Sequence, residues 1–124
     1  MNIRDLLISQ LKTALSPELP ALPYDVRLQG SYADDEPLPE SFITYLIVDS
    51  PDKSFYGSNP MLTNHLIQIV FYSKKMSLIN TVPDQINVRL KMAGFIRNGK
   101  GRDVAFNAEH YAWQIDYNYT ERNI

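Results

Sequence analysis

Two histidines, the carboxylates around the second of them and one glycine run ending in lysine are the residues whose types and spacing could do chemistry in this chain. Glu109-His110 stands between Asp103 and Asp116, a set from which a small hydrolase or ligand-binding domain would draw an acid and base pair centred on His110. Adjacent residues of a strand point to opposite faces, so Glu109 does not orient His110 if both lie in one strand. His65 opens an apolar run and aligns with Ile67 and Ile69, a setting more common for a capped or half-buried histidine than for a ligand. Gly94-Phe-Ile-Arg-Asn-Gly99-Lys100 matches the opening of a phosphate-binding loop. Gly101 stands where a Ser or Thr hydroxyl would hold magnesium, and the glycines flank a predicted strand instead of joining a strand to a helix. A tight turn explains the same letters.

Composition narrows the chemistry further. The absence of cysteine excludes disulfides, thiolate catalysis and cysteine-ligated zinc, and two histidines leave little for another metal. No catalytic residue, metal ligand or cofactor is assigned. Twelve basic against fourteen acidic residues give a net charge of -2, the wrong sign for gripping nucleic acid by its phosphates. The same sign suits a channel lining that lets DNA slide past, and equally a protein that is merely kept soluble. Eight tyrosines, five phenylalanines and one tryptophan could stack bases, but Asp116 stands where an interleaved cation would be needed, so core packing accounts for them. Length predicts one domain, 1–124, and the charged start Met1-Asn-Ile-Arg-Asp predicts neither a signal peptide nor a membrane segment.

The elements that would position these residues read as follows. Asn2 caps a helix carrying Ile3, Leu7 and Leu11 on one face. Pro17, Pro20 and Pro23 make a stiff crossing to a short edge strand over Tyr24 to Gln29. Gly30 to Glu40, with the acidic run Asp34-Asp35-Glu36, is a surface loop. Ser41 to Asp49 and Thr63 to Tyr72 are antiparallel neighbours, apolar on both faces. Such strands are covered on both sides, or covered on one side and docked to another subunit on the other. Between them, Ser50 to Leu62 is longer than a hairpin needs and carries Phe55, Tyr56 and Met61, apolar side chains that a solvated loop does not require.

Met76 to Ala93 is helical, with Pro83 either kinking it or sitting in the first turn of a shorter helix starting near Thr81. Phe95 to Arg97 and Val104 to Asn107 are predicted as a hairpin around Asn98-Gly-Lys-Gly101. Tyr111 to Tyr119 alternates most cleanly, with Tyr111, Trp113, Ile115, Tyr117 and Tyr119 on one face. The predicted fold class is α+β: a mostly antiparallel, twisted sheet of about four to five strands packed against two helices.

Phe42-Ile-Thr-Tyr45, the turn-rich connection, Leu66-Ile-Gln-Ile-Val-Phe-Tyr72 with Ser73-Lys74, and the helix closing on Ala93-Gly-Phe95 resemble the tail-terminator and tail-to-head joining proteins of long-tailed bacteriophages and prophages. The resemblance extends to the order of elements and implies a structural role without catalysis. It implies a homo-oligomeric ring, usually a hexamer, that ends the tail tube. It further implies the tail-tube protein and a head-completion or connector protein as partners, DNA passing through the ring without specific binding, and a location in the virion tail after assembly in the bacterial cytoplasm. No membrane is involved. Asp34, Asp35, Glu36, Phe55, Tyr56 and Met61 are the candidate interface residues, chosen from this sequence since the resemblance supplies none. A head-completion or minor capsid protein is the nearest alternative, and a domain using His110 is the alternative from another class.

Overall fold

A computed structural model describes residues 2–32, 36–49, 54–56 and 59–122, without the side chains of 49, 54–56, 59–62 and 122. The chain runs α1 (Ile3–Lys12), β1 (Asp25–Leu28), β2 (Ser41–Asp49), β3 (Ser54–Tyr56), β4 (Asn59–Ser73), α2 (Met76–Ile79), α3 (Val82–Met92), β5 (Ile96–Asp103) and β6 (Tyr111–Arg122). Five strands form one open sheet in the order β1-β2-β4-β6-β5, and the short β3 pairs with β4 off that path. All neighbours are antiparallel except β1 and β2. The architecture is α+β, as the alternation of the strands predicts.

Local chemistry sets the helix ends. Asn2 Oδ1 accepts from the Asp5 N–H at 2.8 Å, relieving one of the orphan donors at the start of α1. Pro83 sits in the first turn of α3, where its missing N–H costs nothing, and α2 is a separate turn ended at Asn80. At the far end, Phe95 N–H reaches Leu90 O at 3.0 Å and Gly94 N–H reaches Lys91 O at 3.1 Å. This double closure requires the left-handed conformation that Gly94 adopts, with φ 95°.

Register divides the sheet into two faces. Ile43, Phe71 and Trp113 are successive partners across β2, β4 and β6, as are Tyr45, Ile69 and Ile115, and then Ile47, Ile67 and Tyr117. Leu7 and Leu11 of α1 and Val82, Ile86 and Leu90 of α3 pack with these rows into the main core. Each fully buried aliphatic side chain there contributes about 2 kcal/mol of transfer free energy. Arg89 is buried in the same layer, with no carboxylate partner among the described residues; its Nη1 donates to Gln10 O at 3.1 Å and Thr13 O at 2.9 Å, the carbonyls that end α1. Gln10 Nε2 returns a bond to Arg89 O at 2.7 Å, so the two helices are tied in both directions. Burial pushes the Arg89 guanidinium below its ordinary pKa.

Two expectations are corrected. The predicted hairpin at Asn98 to Gly101 is instead an irregularity inside a continuous β5: Asn98 pairs with Asp116 and Arg102 with Gln114, so β5 uses two extra residues against β6. Gly99 and Gly101 take positive φ to absorb them, which is why turn-forming letters appear without a turn. Val104 to Asn107 is accordingly not a returning strand, although Val104 N–H still donates to Ala112 O at 3.1 Å. Much of the predicted long connection after β2 is also strand, because β3 pairs with the start of β4. Pro60 is tolerated there because pairing of β4 with β6 begins only at Leu62, so its absent N–H breaks no central ladder bond.

Candidate assembly surface

The second face of the sheet is mixed, apolar at Phe42, Val48, Leu66, Val70 and Tyr72 and polar at Thr44, Gln68, Gln114, Asp116 and Asn118, and no described helix packs on it. At one end, Phe42, Val70, Tyr72 and Ala112 are buried beneath Tyr32, Leu38 and Val104. Phe42 and Tyr72 stack with centroids 4.4 Å apart, and Thr44 Oγ1 donates to the Tyr72 hydroxyl at 3.3 Å. Loops from both sides leave an open cleft of about 640 Å³ here, with Tyr32, Phe42, Tyr72, Phe106 and Gln114 among its walls. At the other end exposure is uneven: Asn64 is buried, while three aliphatic side chains near it are open. Val48, Leu66, Asn118 and Ile96 are successive partners across β2, β4, β6 and β5. Val48 is 46% exposed, Leu66 39% and Ile96 68%. Val48 and Leu66 are adjacent exposed aliphatic side chains, and Asn118 separates Leu66 from Ile96.

Charges near this row are paired within the subunit. Asp116, one step along the same face from Asn118, accepts from Arg102 at 3.4 Å and from Gln114 at 3.0 Å. Beside the cleft, Arg27 donates to Glu36 at 2.8 Å and lies 4.4 Å from the centre of the Tyr32 ring. Burial raises the Tyr32 phenol above its ordinary pKa, with Asp25 adding to the shift.

Of the candidate interface residues, Glu36 lines the cleft and is paired with Arg27 at 2.8 Å. Asp34 and Asp35 lie outside the described residues. Phe55 and Tyr56 fall in β3 and Met61 in β4, on the hairpin that extends the sheet beyond the end of β2; their side chains are outside the description. The row of Val48, Leu66 and Ile96 was not singled out by sequence reasoning. Its only signal was the two-faced apolar pattern of β2 and β4, which does not say which half of a face stays open.

The histidines have structural surroundings. His110 Nε2 faces Pro39 O at 2.9 Å and Nδ1 faces Asn107 Oδ1 at 3.2 Å, while the ring packs edge-on against Phe42. Asn107 Oδ1 also accepts the backbone N–H groups of Glu109 and His110, at 2.9 and 2.7 Å. Glu109 reaches away toward Lys74, at 3.6 Å. No carboxylate is among these partners of His110, so the acid and base pair imagined from the sequence is not assembled. His65 is buried on the helix-covered face, with Nε2 2.8 Å from Glu121 Oε2. Among the described residues no group of three or more His, Asp or Glu could hold a metal ion, and no helix is long and apolar enough to cross a membrane. Gly94 closes α3 and Lys100 lies within β5, so the phosphate-loop letters are divided between a helix cap and a strand.

Neither a known protein family nor a curated protein matches this chain.

Proposed function

We propose that this chain is a structural assembly subunit without catalysis, and that it forms the ring that ends a bacteriophage tail tube and joins it to the head. One observation carries the assembly part: the sheet buries one face under its own helices and leaves the row of Val48, Leu66 and Ile96 bare on the other. An apolar row so placed is stabilised when a neighbour covers it. The tail-terminator part rests on the sequence resemblance given above. The surroundings of His110 favour this reading over a hydrolase, since both ring nitrogens meet acceptors of the protein itself.

Light scattering over a range of concentration, alone and with isolated tail tubes, tests the proposal. Growth to a closed oligomer, or capping of tubes, is expected. A protein that stays monomeric and leaves tubes unbound contradicts it, and an enzymatic activity lost specifically in His110→Ala would favour the catalytic alternative.

A further inference from the structure

We infer that the peptide joining Asn98 to Gly99 is a site of spontaneous modification, at which asparagine turns into a mixture of aspartate and isoaspartate in the folded protein. The inference is independent of the assembly reading. In this reaction the backbone nitrogen of the following residue attacks the side-chain amide, so a Cβ on that residue crowds the attack and a glycine leaves it open. Asn98 is the one asparagine of the sequence that precedes a glycine.

The fold adds what the dipeptide alone does not. Among the described strands β5 ends the sheet and pairs with β6 only, so its other edge meets solvent. Asn98 pairs with Asp116 and the next pair is Arg102 with Gln114, which leaves Gly99 in the irregularity without a partner in the register. Gly99 has φ 78°, and a Cβ placed on it meets nothing within 4 Å. Both residues are exposed, and among the described residues no hydrogen bond holds the Asn98 amide. An unpaired glycine on an outer strand gives the local freedom that ring closure needs without unfolding the sheet. Asn107 supplies the contrast. It is exposed too, but Ala108 follows it, and its Oδ1 accepts from the backbone N–H groups of Glu109 and His110 at 2.9 and 2.7 Å.

The chemistry needs only water. Solvent base removes the Gly99 N–H proton, the nitrogen bonds to Asn98 Cγ, and the Cγ–Nδ2 bond breaks as Nδ2 takes up a proton and leaves as ammonia. Water then opens the cyclic imide, at Cγ to give aspartate or at the backbone carbonyl carbon to give isoaspartate. One water enters, one ammonia leaves, and nothing is oxidised or reduced. Either product places a carboxylate across the ladder from Asp116, a like-charge pair. Isoaspartate also moves a methylene into the backbone at the place where β5 already bulges.

Incubation of the folded protein in oxygen-labelled water at mildly alkaline pH, followed by digestion and peptide mass mapping, tests this. Label and the amide-to-acid mass change should enter the Asn98 peptide at least about tenfold faster than the Asn107 peptide, with isoaspartate the larger product. Gly99→Ala should slow conversion at Asn98 about tenfold, and an unchanged rate overturns the route through the Gly99 nitrogen. Since that substitution strains the backbone, the wild type unfolded in urea is run beside the folded protein. Conversion in urea with Asn98 intact in the folded chain overturns the inference, as do equal rates at Asn98 and Asn107 in the folded chain. Asn98→Asp, prepared directly, should melt about 2 °C lower than the wild type, and the difference should vanish in an Asp116→Asn background. An unchanged melt overturns the like-charge consequence.

Discussion

Val48 and Leu66 oppose each other across β2 and β4 on the face that no described helix covers. Their partners one residue along, Ile47 and Ile67, point into the main core. A single pair of strands thus serves the fold with one set of side chains and offers the other set to solvent. The two sets separate experimentally. Ile67→Ala should cost about 3 kcal/mol of stability through the cavity it leaves, while Leu66→Ala should cost under about 1 kcal/mol. Urea unfolding of the two variants measures the difference, and a monomer equally destabilised by both would show that the bare row is packed after all.

Arg89 replaces a salt bridge with two helix-end carbonyls. Arg89→Leu keeps much of the buried volume and removes the donors to Gln10 O and Thr13 O, so it should lower unfolding free energy by about 2 kcal/mol. Chemical denaturation followed by circular dichroism reads this directly. Loss of under about 0.5 kcal/mol would mean that water replaces the guanidinium at the end of α1.

The two glycines of the β5 irregularity are not equivalent. Both have positive φ, but a Cβ on Gly99 meets open space, whereas one on Gly101 meets the Trp113 indole and lies 2.8 Å from Gln114 O. Gly99→Ala should therefore cost only the left-handed backbone penalty of about 1 to 2 kcal/mol, and Gly101→Ala distinctly more. Thermal melts of the pair check the order, and near-ultraviolet dichroism should show the Trp113 environment changing in Gly101→Ala alone.

Tyr117 gives the fold an alkaline limit. Its ring is buried in the main core, its hydroxyl donates to Asn87 Oδ1 at 3.3 Å, and burial pushes the phenol well above its ordinary pKa of 10.0. A group whose folded pKa is raised stabilises the fold fully below its unfolded pKa and loses that contribution as pH rises. Stability should therefore fall by about 1.4 kcal/mol per pH unit above about pH 10. Tyr117→Phe should reduce that slope while costing about 1 kcal/mol at neutral pH. Melting temperature followed from pH 8 upward, with the wild type and variant declining in parallel, would refute the assignment.

Much of the fold was legible because local chemistry and periodicity agreed. Asn2 capped α1, the apolar runs of β2 and β4 gave their antiparallel pairing, and Gly94 ended α3 as read. The misreadings share a physical cause: Gly99, Gly101 and Pro60 are residues that usually interrupt strands, and here they are absorbed by an irregularity and by a position outside the central ladder. Arg89 was invisible because its acceptors are backbone carbonyls on another helix, which leave no mark in side-chain spacing. The candidate surface was half legible. Period-two alternation shows that both faces of β2 and β4 are apolar, yet only the packing of α1 and α3 decides which face remains uncovered.

The most direct measurement is sedimentation velocity of the wild type and the double variant Val48→Asp/Leu66→Asp across the same concentration range, with thermal melts of both. The bare-face account predicts concentration-dependent assembly of the wild type, alone or on tail tubes, and a variant that stays monomeric with its monomer melt nearly unchanged. A variant that assembles as the wild type does would contradict it.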